Sequence, residues 1–141
     1  MDRFERISFV IPFDDQNELI QPKTKFSVGI FPSEITLNTR VGFVGLMPLY
    51  KYNIKMFIQA IHITIKKGEE AQLLNPFTEL ASVEINTKGT ILGGEIDGQV
   101  VVKLEKLNIP AKGIYQIRCE IMDSKDTELA LHTNVSFFSV D

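Results

Sequence analysis

Residues 100–140 constrain the fold of this chain more than any other stretch. Tyr115, Ile117, Cys119 and Ile121 alternate with Gln116, Arg118 and Glu120, the two-residue period of a strand with one face in a core and one in water. The polar residues Asp123, Ser124, Lys125, Asp126 and Thr127 break the run, after which Leu129, Leu131, Val135 and Phe137 share one parity. Two alternating runs joined by turn formers predict a hairpin. Val100, Val102 and Leu104 make a third run. Residues 108–113 end it in a corner, because Pro110 cannot donate to a ladder and Gly113 admits positive φ.

The same period recurs upstream. Ile7, Phe9 and Ile11 alternate with Ser8 and Val10 in a first strand that Pro12 stops, and residues 14–25 form a polar connection pinned by Leu19 and Ile20. Further strands are expected over residues 26–31 and 35–44. In residues 53–67, Ile54, Met56 and Ile58 share one parity while Ile61, Ile63 and Ile65 share the other. A β-bulge near Gln59 and Ala60 would keep one continuous inward face and leave a single residue unpaired. Gly68, Glu69 and Glu70 close this run. Leu73, Leu74, Phe77, Leu80 and Ala81 have the spacing of one short helix, with Pro76 allowed only near its first turn. A short strand at residues 83–85 and turns at residues 86–89, Gly93–Gly94 and Asp97–Gly98 lead back to Val100. The pattern predicts an all-β antiparallel β-sandwich of seven to eight strands with at most one short helix. A length of 141 residues suits a single domain over 1–141, able to bury a core without staples.

The corner and the alternation after it resemble the G-x-Y approach to the penultimate strand of immunoglobulin-like and fibronectin-III-like sandwiches, over about the last 40 residues. That resemblance implies an immunoglobulin-like fold in which the Tyr115 hydroxyl bonds the backbone of the preceding loop. The chain departs from the antibody pattern, since Cys119 lies four residues after Tyr115 rather than two, has no second cysteine to pair with, and there is no tryptophan. A generic bacterial sandwich domain fits better than an antibody-type one.

Composition narrows the function classes. A net charge of −3 argues against a phosphate-binding surface, and 44% hydrophobic with 23% charged residues argues against disorder. With one cysteine there is no intramolecular disulfide and no Cys-based zinc site, which fits a reducing cytoplasm. The charged start of both signs is not a secretory signal, and no run approaches the roughly 18 apolar residues of a spanning helix. Richness in Ile, Lys and Asn, the products of A/T-rich codons, points to a bacterial or phage source.

Cys119, with His62 or His132 as base, would make a nucleophile, but its parity places it in the core, where a thiol behaves as a small hydrophobe. The two histidines lack metal-site spacing. Asp123, Asp126 and Glu128 lack the spacing and glycine of a calcium loop and have Lys125 among them, so a solvated turn is expected. Gly93–Gly94 is not followed by Gly-Lys-Ser/Thr and reads as a turn, and the sequon at Asn134 reads as chance. Lys51, Lys55, Lys66 and Lys67 flank the long apolar strand as edge protection.

Residues 41–50 differ in kind. They are apolar and aromatic yet contain Gly42, Gly45 and Pro48, so neither a regular buried helix nor an uninterrupted central strand suits them. Something must cover Phe43, Leu46, Met47, Leu49 and Tyr50, which are the candidate partner-binding residues. They either plug an open end of the sandwich or meet a partner. The expectation is a non-catalytic protein–protein interaction domain, cytoplasmic, using no cofactor or metal and contacting neither nucleic acid nor membrane. Its partner is another protein or a second copy of the chain. A small-ligand or lipid-binding sandwich is the alternative, and an enzyme with a site assembled from distant strands the third reading.

Overall fold

The computed structural model describes residues 3–14, 21–63, 78–88 and 96–141. The strands are β1 (Arg6–Asp14), β2 (Gln21–Pro22), β3 (Lys25–Phe26), β4 (Ser33–Leu46), β5 (Lys51–Ile63), β6 (Thr78–Asn86), β7 (Ile96–Ile109), β8 (Gly113–Asp123) and β9 (Asp126–Val140). They form two sheets, β2-β1-β4-β7 and β3-β9-β8-β5-β6, antiparallel except where β3 joins β9. There is no helix among the described residues. This is the expected all-β, immunoglobulin-like sandwich, with seven long strands and two short pieces.

The core lies between the sheets. Ile7 and Val10 of β1 and Leu37, Val41 and Phe43 of β4 meet Tyr52, Ile54 and Met56 of β5, and Ile117, Cys119 and Ile121 of β8. Period-two alternation supplies these side chains, and bulges reset it where it would otherwise drift. In β5 the register with β8 shifts between Ala60 and His62, one residue beyond the expected slip. In β4 it shifts between Phe43 and Leu46, so Val44 and Gly45 both oppose the stretch around Asp97 and Leu46 returns to the core. Gly45 sits at φ +74°, and a Cβ there would collide with the Phe4 carbonyl. Residues 41–46 are therefore a central strand after all, interrupted as expected, but by a bulge.

Several expectations change. The first strand does not stop at Pro12 but runs to Asp14. The Pro12 carbonyl accepts a bond from the Lys23 amide on the side away from β4, so the missing N–H falls on that open side and leaves the β4 ladder intact. A shift between Ile7 and Phe9 flips the phase of β1, bringing Val10 inward and turning Phe9 and Ile11 to the outer face. There the Phe9 ring lies where a side chain on Gly42 would be. The strand expected over residues 26–31 reduces to β3, and the turn at Asp97–Gly98 is the start of β7, where the Asp97 carboxylate accepts the Gly45 amide at 3.3 Å. Of the expected helix, residues 73–77 lie outside the described residues, as do Lys66, Lys67, Gly68, Gly93 and Gly94. From Thr78 the chain is strand, because Ala81, Val83 and Ile85 alternate and pair with Met56, Ile54 and Tyr52. The hairpin between β8 and β9 is tighter than expected, with Asp123 paired to Asp126 across Ser124 and Lys125.

On β9 the inward parity is the opposite of the one the apolar residues suggest. His132, Asn134, Ser136 and Phe138 oppose the inward residues Ile121, Cys119, Ile117 and Tyr115, while Leu129, Val135 and Phe137 are exposed and Leu131, beside the register shift at Met122, is half-buried against the core. The cause lies in β1, which among the described residues pairs with β2 only at Phe13 and Asp14, so that beside its register shift the Ile7 backbone takes its partners from β9. The Ile7 amide donates to His132 Nδ1 at 2.9 Å, and Asn134 Nδ2 donates to the Ile7 carbonyl at 3.1 Å. Polar residues face inward on β9 because they close an edge that would otherwise be open.

Candidate interaction site

The turn from β4 to β5 lies at one end of the sandwich, held from three directions. Tyr52, the first inward residue of β5, is fully buried, and its hydroxyl accepts the Met47 amide at 2.8 Å while donating to Glu5 Oε2 at 3.2 Å. Thr87, just past β6, accepts the Tyr50 amide at 2.8 Å and donates to the Met47 carbonyl at 2.6 Å. From the β8–β9 hairpin, the Asp123 carboxylate accepts the Tyr50 hydroxyl and, at 2.9 Å, the Lys125 amide. The Tyr50 and Tyr52 rings lean together at 5.1 Å. Arg3 and Lys125 approach the Tyr50 ring at 5.7 and 5.6 Å, within cation–π range.

Two carboxylates anchor this network inside the protein, Glu5 at 1% and Asp123 at 8% exposure. Arg3 serves both, with Nε 3.0 Å from each Glu5 oxygen and Nη1 3.4 Å from Asp123 Oδ2. Burial alone would push the Glu5 carboxyl up, but the Arg3 guanidinium, a backbone amide and the Tyr52 hydroxyl outweigh it and hold it below the ordinary carboxylate value. Asp123 is likewise lowered: burial opposes ionisation, and the Tyr50 hydroxyl, the Lys125 amide and Arg3 overcome it. Glu5 in turn holds the Arg3 guanidinium protonated, while burial pushes the Tyr52 hydroxyl up to about 12.

The candidate residues divide across this arrangement. Phe43 and Leu46 are core residues of β4, whereas Met47 and Tyr50 are half-buried within the network. Leu49 is 79% exposed and held at φ +52°. A left-handed leucine costs about 1–2 kcal/mol relative to an ordinary backbone. Exposure alone does not single out Leu49, since Ile30 and Leu129 are 77% and 71% exposed; the left-handed backbone of a clamped turn does. Phe4, 60% exposed, lies against Gly45 at the same end.

The sequence pattern does not single out Glu5 or Thr87, and Asp123, expected in a solvated turn, is buried instead. Asp126 and Glu128 are exposed as expected, but Asp123 is not. A signal existed, because Asp123 continues the inward parity of Tyr115, Ile117, Cys119 and Ile121, and Glu5 that of Ile7. An acid in phase with a core face needs a buried partner.

The other sequence candidates lie elsewhere. Cys119 is buried, and burial followed by the charge of Glu120 pushes its thiol up to about 12. His132 accepts the Ile7 amide, and His62 lies in β5 opposite Ile114, with β8 between the two histidine-bearing strands. Among the described residues no group of three His, Cys, Asp or Glu side chains is placed to hold a metal ion. At the open side of the sandwich, where β6 and β7 end their sheets, a groove of about 310 Å³ has Leu80, Ala81, Leu104 and Leu107 at its base and Glu79, Lys103 and Lys106 among its lining.

The chain matches no protein-family model and no curated protein. Solved structures resemble it in shape. A β-glucosidase from Listeria innocua, solved with glucose, aligns over 97% of this chain at 12% identity and a TM-score of 0.54, and the chain spans 16% of that enzyme. The CARDB domain of a Pyrococcus furiosus protein, solved with di-metal ions, aligns over 99% of this chain and 88% of its own length at 11% identity and a TM-score of 0.44. A Niemann-Pick type C2 protein from the Japanese carpenter ant aligns over 97% and 92% at 15% identity and 0.43. The likeness to the β-glucosidase is one of fold, an immunoglobulin-like sandwich, and extends to no activity.

Proposed function

We propose that this is a non-catalytic protein–protein interaction domain that meets its partner through the end of the sandwich built from the β4–β5 turn and the segment before β1. Within the sandwich class it is nearer the fibronectin-III-like arrangement than the antibody one, since β6 pairs with β5 and not with β7. One observation carries the reading: the turn is fixed by bonds from Tyr52, Thr87 and Asp123, and the side chain it presents outward is an apolar one, Leu49, on a left-handed backbone. An apolar side chain on a rigidly held backbone needs no ordering of the loop on docking, which is what an interface anchor needs. The partner is a protein of the same bacterial or phage cytoplasm, or a second copy of this chain.

Leu49→Asp tests it. The position is exposed and aspartate tolerates the backbone better than leucine, so the denaturation midpoint should stay within about 0.5 kcal/mol of wild type. The proteins captured from the native cell, or the mass measured by light scattering if the partner is a second copy, should change. Unaltered capture and unaltered mass in a folded variant would sink the reading. The groove between β6 and β7 favours a second reading, a small ligand with both polar and apolar parts, because its volume is at the low end of ligand pockets and Glu79, Lys103, Glu105, Lys106 and Asn108 line it beside its leucines. Leu80→Trp, at a half-buried position of the groove, should then abolish ligand binding and leave the Leu49-dependent capture untouched.

A further inference from the structure

We propose that residues 3–5 act as a latch that fixes the pose of the β4–β5 turn, with Arg3 as its positioning residue. The segment precedes β1, whose pairing begins at Arg6, so side chains hold it in place. Arg3 reaches the turn by two routes. Through Glu5 it orients the Tyr52 hydroxyl, which accepts the Met47 amide at one side of the turn. Through Asp123 it orients the Tyr50 hydroxyl at the other side, and its guanidinium also lies 5.7 Å from the Tyr50 ring. Both tyrosines that frame the turn thus end on a carboxylate that Arg3 holds. A guanidinium offers a planar fork for one carboxylate, a further donor for a second and a flat face for a ring; a lysine ammonium is a point charge and cannot serve all three at once.

The consequence is a segment whose docking decides whether Leu49 is presented rigidly. Released, it would leave Tyr52 without its acceptor and Asp123 without its cation, so the bonds that Tyr52 and Asp123 make to the turn would lose their support and only those of Thr87 would be unaffected. As regulation of partner binding this rests on the interaction reading above. As a statement about the turn it does not, and the experiment reads the turn.

Amide hydrogen exchange on the full chain, wild type against Arg3→Met and Arg3→Lys, is the test. In both variants the Met47 and Tyr50 amides should exchange about tenfold faster or more, while the Ile117 and Cys119 amides of β8 keep their wild-type protection, the pattern of local opening. Unchanged exchange at Met47 and Tyr50 would overturn the latch. So would full restoration by Arg3→Lys, which would reduce the role to charge, or an equal loss of protection at Ile117, which would reduce it to general stability. If Arg3→Met does not fold, the pair Arg3→Met with Glu5→Gln removes the buried charge together with its partner, and the same ratio of turn to core exchange decides. Faster turn exchange with unchanged partner capture would uphold the latch and count against the interaction reading; unchanged exchange rejects the latch whatever the capture shows.

Discussion

Two hydroxyls in the core test how polar groups are handled one residue at a time. The Tyr115 hydroxyl donates to the Ala111 carbonyl and accepts the Ala111 amide at 3.3 Å, closing the corner between β7 and β8. Thr39, fully buried on the inward face of β4, has no hydrogen-bond partner for its Oγ1 among the described residues. The same chemical deletion should therefore have opposite signs. Tyr115→Phe leaves two buried backbone groups with one partner fewer and should lower stability by about 1 kcal/mol or somewhat more, whereas Thr39→Val removes an unpaid desolvation penalty at nearly constant volume and should raise it by about 1 kcal/mol. Urea midpoints read both, and a destabilised Thr39→Val would mean that its hydroxyl has found a partner. Tyr115 was legible in the sequence, because a corner of Pro110 and Gly113 followed by alternation defines its role. The inward place of Thr39 was legible from its phase with Leu37 and Val41, but whether anything faces its hydroxyl depends on the opposite sheet.

At the scale of elements, the contact between β1 and β9 across the two sheets was the least legible feature, and the reason is physical. The period in β9 picks out Leu129, Leu131, Val135 and Phe137, yet the residues that matter are the polar ones between them, His132 and Asn134, which satisfy the Ile7 backbone. No local pattern reports that a strand distant in sequence has a bulge whose backbone needs partners. This seam should be sensitive to mild acid. His132 accepts through Nδ1, so it must be neutral there, and burial followed by the nearby charge of Arg6 lowers its pKa below the ordinary imidazole value. With the folded value depressed, the contribution to stability is complete above the unfolded pKa of about 6.5 and is lost as pH falls through the folded one. Between pH 7.5 and 5 the wild-type midpoint should therefore decline more steeply than that of His132→Gln. Parallel curves would show that His132 does not hold the edge through its neutral form.

For the molecule as a whole, the two ends of the sandwich are closed by different physics. At one end Phe26 meets the Phe138 ring edge to face at 5.7 Å and Phe138 stacks on Tyr115 at 5.6 Å, and packing closes the core. At the other, the bulge at Gly45 and the turn after it prevent regular packing, and closure falls to Glu5, Asp123 and Arg3. The sandwich and most of its strands followed from period-two alternation; the polar end did not, because its bonds join residues 3–5, 47–52, 87 and 123, which only the finished fold brings together. Acid should open that end first. Both carboxyls are held below their ordinary values, so their contribution is complete above the unfolded carboxylate pKa of about 4 and is lost as pH falls through the folded values. Glu5→Gln removes the charge-assisted bonds to Arg3 and should lower stability by about 2 kcal/mol at pH 7. As pH falls from 5 to 2.5, below the unfolded carboxylate value and toward the lowered folded one, the wild type loses this contribution and the gap between the two proteins should narrow. Urea midpoints across that range measure it directly. A gap that stays constant would mean that the Arg3–Glu5 pair adds nothing beyond the shape of its side chains, and that packing alone closes this end as it closes the other.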